Sequence, residues 1–157
     1  MEGCSGRTSG QERYVVKKLF LTWDDFDDGV YAAIADYKAG PLVGKLKGVY
    51  GIPRGGVILA ASLSHHLDIP LLMEPEDCCL IVDDILESGD TMQKTINRFY
   101  QIFPKGKFAA WVWVNKNPSL VAGYGRFESP EAWVVFPWED WQKAEEDARK
   151  YELTHKV

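Results

Sequence analysis

Cys79-Leu80-Ile81-Val82-Asp83-Asp84-Ile85-Leu86-Glu87-Ser88-Gly89-Asp90-Thr91 is the stretch on which the reading of this chain turns. Leu80 to Val82 is an apolar run too short for a helix and β-branched enough for a buried strand. Two carboxylates follow where that strand should end. Ser88, Gly89 and Thr91 then make a small-residue turn, and an amphipathic helix begins near Met92. A strand, a tight turn and a helix N-terminus together form an anion site, because free backbone N–H groups point outward and the helix dipole favours negative charge. The acids Asp83, Asp84, Glu87 and Asp90 beside such a cradle suit contact with hydroxyls, a metal ion or a reacting proton.

One strand–helix unit upstream lies a second anion site. Lys47 to Ile52 reads as a core strand, Pro53-Arg54-Gly55-Gly56 as the turn after it, and Val57 to about Leu67 as a helix. Glycines let backbone approach a ligand closely, and the Arg54 guanidinium can pair bidentately with phosphate oxygens. Ile69 to Met73 reads as a further short strand, and only Glu74-Pro75-Glu76-Asp77 separates it from the acidic strand.

The acidic stretch from Ile81 to Thr91 resembles the phosphoribosyl-pyrophosphate signature of type I phosphoribosyltransferases, and Pro53 to Gly56 resembles the pyrophosphate loop of the same family. The resemblance implies a cis peptide between Pro53 and Arg54. It implies that Pro53, Arg54, Gly55 and Gly56 hold pyrophosphate, that Ser88, Gly89, Asp90 and Thr91 hold the 5-phosphate, and that Asp83 and Asp84 meet the ribose hydroxyls directly or through Mg²⁺. Glu87 matches the position where purine-salvage members carry an acid beside the base, with one methylene more than the usual Asp. Trp133-Val134 followed by Pro137-Trp138-Glu139 resembles the base-binding segment of the xanthine–guanine and hypoxanthine–guanine members. By that resemblance Trp133 stacks on the purine, the Val134 backbone reads its edge, Lys116 contacts the 6-oxo group and Glu139 binds a second Mg²⁺. Family members carry a long flexible hood between the two strands that Glu74 to Asp77 joins here, so the hood is expected to be nearly absent.

The rest of the chain fits this frame. Met1 to Glu12 is polar and reads as a loose tail, with a single domain over 13–157. Tyr14 to Leu21 reads as an edge strand. Thr22 caps a helix with Asp25 as a short-armed capping box, and Gly40-Pro41 stops it. Met92, Ile96, Phe99 and Phe103 mark a helix face, Lys107 to Val114 a central strand, Asn115 to Pro130 a polar connection, and about 140–151 a C-terminal helix. Strand–helix alternation predicts a three-layer α/β/α architecture with a mostly parallel sheet, and loops from neighbouring strands meet at its switch point.

At 157 residues with 46% apolar and 26% charged residues, the composition is that of an ordinary globular domain. The net charge of −5 argues against a nucleic-acid partner, and no apolar run approaches a membrane span. Cys4, Cys78 and Cys79 show no metal or disulfide spacing, which fits a reducing cytoplasm. The expected enzyme is a purine phosphoribosyltransferase that uses Mg²⁺ and joins phosphoribosyl pyrophosphate to a 6-oxopurine, giving a nucleoside monophosphate, as a homo-oligomer. Two alternatives stay open at this point: a non-catalytic nucleotide sensor on the same fold, and a Mg²⁺-dependent phosphohydrolase using Asp83 and Asp84.

Overall fold

The computed structural model describes residues 16–117, 119 and 123–154. The tail expected over 1–12, together with Cys4, Tyr14 and Val15, lies outside the described residues. Along the chain run β1 (Lys18–Phe20), α1 (Trp23–Ala39), β2 (Gly48–Gly51), α2 (Gly55–Leu67), β3 (Leu71–Leu72), β4 (Cys79–Leu86), α3 (Asp90–Ile102), β5 (Phe108–Asn115), β6 (Gly123–Phe127), β7 (Trp133–Val135) and α4 (Trp141–Thr154). They divide into two compact units, one spanning Leu21–Pro130 and the other formed by the segments before and after it.

The larger unit is a five-stranded sheet in the order β3-β2-β4-β5-β6, with every described pairing parallel. β4 sits at its centre, and Cys79, Leu80, Ile81 and Val82 are all buried, because helices cover both faces. Alternation along the strand divides these residues between the faces. Cys79 and Ile81 pack with Val112 against Met92 and Phe99 of α3. On the opposite face Trp113 meets Phe26 of α1 at 5.4 Å between ring centroids, and the buried Leu59 and Leu63 belong to α2. This is the three-layer α/β/α arrangement that the alternation of elements predicts.

Local signals act as expected at α1. The Asp25 N–H donates to Thr22 Oγ1 (3.1 Å), and the Thr22 N–H donates to Asp25 Oδ2 (2.8 Å), which closes the capping box. The Thr22 N–H, and after it the Thr22 hydroxyl, which also donates to Asp25 Oδ2 (2.8 Å), hold the Asp25 carboxyl below its usual range. α2 and α3 each begin two residues earlier than the apolar pattern suggests, so the Gly55-Gly56 pair and Asp90-Thr91 lie in first helical turns.

The segment Asn115 to Pro130 needs a correction. It is not only a connection: Gly123–Phe127 forms β6, the fifth strand, paired with β5. Its glycines hide the strand signal, since glycine is a poor strand former. They are there because the indoles of β5 occupy the space of a side chain: a Cβ on Gly123 would lie 2.5 Å from Trp111, and one on Gly125 would lie 2.9 Å from Trp111 and 3.0 Å from Trp113.

In the smaller unit β1 pairs with β7 in a two-stranded parallel sheet, Leu19 opposite Val134. The edge strand expected before the first helix is therefore part of this separate ribbon. α4 closes on it through Trp133–Tyr151 and Phe20–Trp141 ring contacts at 5.5 and 5.4 Å. Among the described residues no helix is long and apolar enough to cross a membrane.

Candidate active site

β2 and β4 are hydrogen-bonded neighbours with Gly51 opposite Val82, and the Ile52 N–H continues the ladder to the Val82 carbonyl at 2.9 Å. The loops leaving their C-terminal ends consequently meet. A Cβ on Gly55 would overlap the Asp84 carboxylate, and one on Gly56 would come within 2.6 Å of the Val82 carbonyl and 3.0 Å of the Asp83 Cα. At Gly56, where the obstacle is backbone, only glycine admits this approach; at Gly55 a side chain would have to push the Asp84 carboxylate aside. The peptide bond between Pro53 and Arg54 is cis, as the resemblance implies. Pro53, Arg54, Gly55, Asp83, Asp84 and residues 85–92 line one cleft of about 240 Å³.

Asp83 and Asp84 dominate its electrostatics. The strand does not stop before the acids as expected but runs through them to Leu86. The Asp84 N–H donates to Asp83 Oδ1 (2.9 Å), and the Ile85 N–H donates to Asp84 Oδ1 (2.8 Å), which fixes both carboxylates near its C-terminal end. Burial, then the charge of Asp84, pushes the Asp83 carboxyl up to about 8, and burial pushes Asp84 up as well. No cation among the described residues forms an ion pair with either. Such a pair has unmet demand for positive charge or for hydrogen-bond donors.

The opposite wall is the turn into α3. Gly89, the N-cap of α3, adopts φ +86°, a left-handed conformation that suits glycine, and offers no side-chain cap of its own. Ser88 Oγ accepts the Asp90 N–H at 3.2 Å, which folds the turn back toward the cleft. Ser88, Gly89, Asp90 and Thr91 all line it.

Glu87 lines the same cleft, and Lys116 is its partner: the Lys116 ammonium donates to Glu87 Oε1 at 2.7 Å. Sequence reasoning chose both residues without seeing that they pair. The signal was available only through the register, which sets Leu86 of β4 opposite Asn115 of β5. Ile85, Leu86 and Met92 also line the cleft and carried no chemical signal in the sequence. Trp133, Val134 and Glu139 lie on the smaller unit. There Trp133 rests against Tyr151, and Glu139 Oε2 accepts the Phe136 N–H at 2.8 Å.

No family model matches the chain. A purine phosphoribosyltransferase of known structure from Pyrococcus horikoshii is 30% identical, with a TM-score of 0.67 over 80% of this chain and 96% of that one. The chain belongs to the type I phosphoribosyltransferase family, on its purine-salvage branch. A xanthine-guanine phosphoribosyltransferase from Vibrio parahaemolyticus is 27% identical over 145 residues, 78% of this chain and 90% of that protein. The xanthine-guanine-hypoxanthine phosphoribosyltransferase of Helicobacter pylori, 20% identical with a TM-score of 0.66, shares the fold.

Within this phosphoribosyltransferase, β3 ends at Leu72 and β4 begins at Cys79. The intervening segment leaves almost no room for a hood between these strands.

Proposed function

We propose that the protein transfers the phosphoribosyl group of phosphoribosyl pyrophosphate to a 6-oxopurine. The observation that carries this reading is the contact of the Gly55-Gly56 turn with the Asp83–Asp84 pair, facing the Ser88–Thr91 turn into α3 across one cleft. A ligand with two separated phosphate groups and a diol between them matches that order. Arg54 with Gly55 and Gly56 binds the pyrophosphate, the Ser88–Thr91 turn binds the 5-phosphate, and Asp83 and Asp84 accept from the ribose hydroxyls.

In the reaction a purine nitrogen forms a bond to ribose C1 while the C1–O bond to pyrophosphate breaks. Positive charge grows on the ribose ring and negative charge on the leaving group. Asp83 and Asp84 stabilise the former, and Arg54 the latter. The proton lost by the purine goes to the Glu87 carboxylate. Lys116 donates to the 6-oxo group, Trp133 stacks on the ring and the Val134 backbone reads its edge; these base contacts rest on the family resemblance.

The donor set suits Mg²⁺: two adjacent, half-buried carboxylates without a cationic partner among the described residues offer only oxygen ligands, the preference of a hard dication. Bound at Asp83 and Asp84, Mg²⁺ supplies charge neutralisation for the pyrophosphate, and Glu139 is proposed to hold a second ion. A cytoplasmic homo-oligomer belongs to the same proposal. A phosphohydrolase reading leaves the Arg54 turn without a task.

The test is incubation with Mg²⁺, phosphoribosyl pyrophosphate and, separately, hypoxanthine, guanine, xanthine and adenine, followed by chromatography for nucleotide. The expected result is nucleoside monophosphate from at least one 6-oxopurine and none from adenine. Absence of nucleotide with every base refutes transfer, and phosphate released without any base identifies a hydrolase.

A further inference from the structure

Lys116 follows the last residue of β5, yet it is only 8% exposed. One side of it is held by β4: its N–H donates to the Leu86 carbonyl at 2.8 Å, and its ammonium meets Glu87. The other side is held by residues with no part in binding substrate. Asn115 is 1% exposed. Its Oδ1 accepts the Asn117 N–H at 2.8 Å, so the backbone turns around Lys116. Its carbonyl accepts the Glu128 N–H at 3.0 Å, which ties the end of β5 to the residue after β6. The Glu128 side chain is itself largely buried and accepts from Arg126 Nε at 3.0 Å and from the second guanidinium nitrogen.

We propose that Asn115, backed by the Glu128–Arg126 ion pair, is a positioning residue that locks the Lys116 loop in the geometry needed to read the base. The base-reading role of Lys116 rests on the function proposed above; the clamp itself does not. A buried amide whose oxygen is committed to a loop N–H cannot be replaced by an apolar group of similar size without orphaning that donor. A lysine left without such restraint recovers its many rotamers and loses its fixed donor direction. The pair at Arg126 and Glu128 gives the end of β6 a purpose that the pattern of the sequence conceals.

The experiment compares the full chain with Asn115→Leu, Asn115→Asp and Arg126→Met by brief acetylation with an amine-reactive ester and mass spectrometry. Exposed Lys38 serves as internal reference. Lys116 should react at least about 5-fold faster in Asn115→Leu and Arg126→Met, with Lys38 unchanged, because the released side chain regains solvent. Asn115→Asp keeps the acceptor oxygen and should restore slow labelling. In kinetics the KM for the purine should rise roughly 10-fold in the two disrupted variants while that for phosphoribosyl pyrophosphate stays within about 2-fold. If Asn115→Leu fails to fold, Arg126→Met decides. Unchanged Lys116 labelling in the folded disrupted variants overturns the clamp. Faster labelling in proteins that make no nucleotide, the unsubstituted chain included, upholds the clamp and refutes the proposed function alone.

Discussion

Replacing Asp83 with Asn should stabilise the metal-free protein while disabling it. Burial and the neighbouring Asp84 charge push the Asp83 carboxyl up to about 8, from an ordinary value of 3.8. A carboxyl raised in the folded state contributes stability that is fully present below the unfolded value near 4. That contribution is lost as pH rises through about 8. An isolated group shifted so far would forfeit roughly 5–6 kcal/mol at about 1.36 kcal/mol per unit. Asp83 keeps partial solvent contact and shares the load with Asp84, which brings the expected loss to about 1–3 kcal/mol. Asn removes the charge and keeps the shape, so Asp83→Asn should raise the melting temperature by about 3–9 °C at pH 8.5. The gain should shrink steadily toward pH 4.5. Calorimetry in chelator on both proteins reads the difference directly; groups common to both cancel except Asp84, whose relief from the Asp83 charge belongs to the same effect. Turnover should fall by roughly 10²-fold or more, since charge stabilisation at the ribose is lost. A variant less stable than the parent at pH 8.5, or a difference independent of pH, would refute the claim that the pair stores unfavourable charge.

Three further outcomes are expected. Gly55→Ala should weaken phosphoribosyl-pyrophosphate binding by about 10-fold or more in titration calorimetry, because its Cβ displaces the Asp84 carboxylate; unaltered affinity removes the contact of the two loops from the argument. Glu87→Gln should lower turnover by about 10²-fold, and unchanged steady-state turnover excludes it as the proton acceptor. Trp133→Ala should raise the KM for the purine, with stacking worth roughly 1–3 kcal/mol, and leave that for phosphoribosyl pyrophosphate nearly constant. Because Trp133 also rests against Tyr151, melting is measured on the same variant: a folded protein with unaltered purine KM places the base elsewhere.

What the sequence determines by itself is local chemistry. The apolar run before Asp83, the glycines beside Arg54 and the capping box at Thr22 each act within a few residues. There, strand propensity, backbone freedom and short hydrogen bonds leave few alternatives. Tertiary structure decided what lies together. β6 was concealed because Gly123 and Gly125 lack side chains, a lack required by Trp111 and Trp113 on the neighbouring strand β5. The Lys116–Glu87 pair exists only once β4 and β5 are in register. The raised carboxyls of Asp83 and Asp84 likewise follow from burial, which no spacing of acids along a chain encodes. Sequence specifies the groups and their local geometry; the sheet, by closing distances between segments far apart in the chain, sets the electrostatics in which they work.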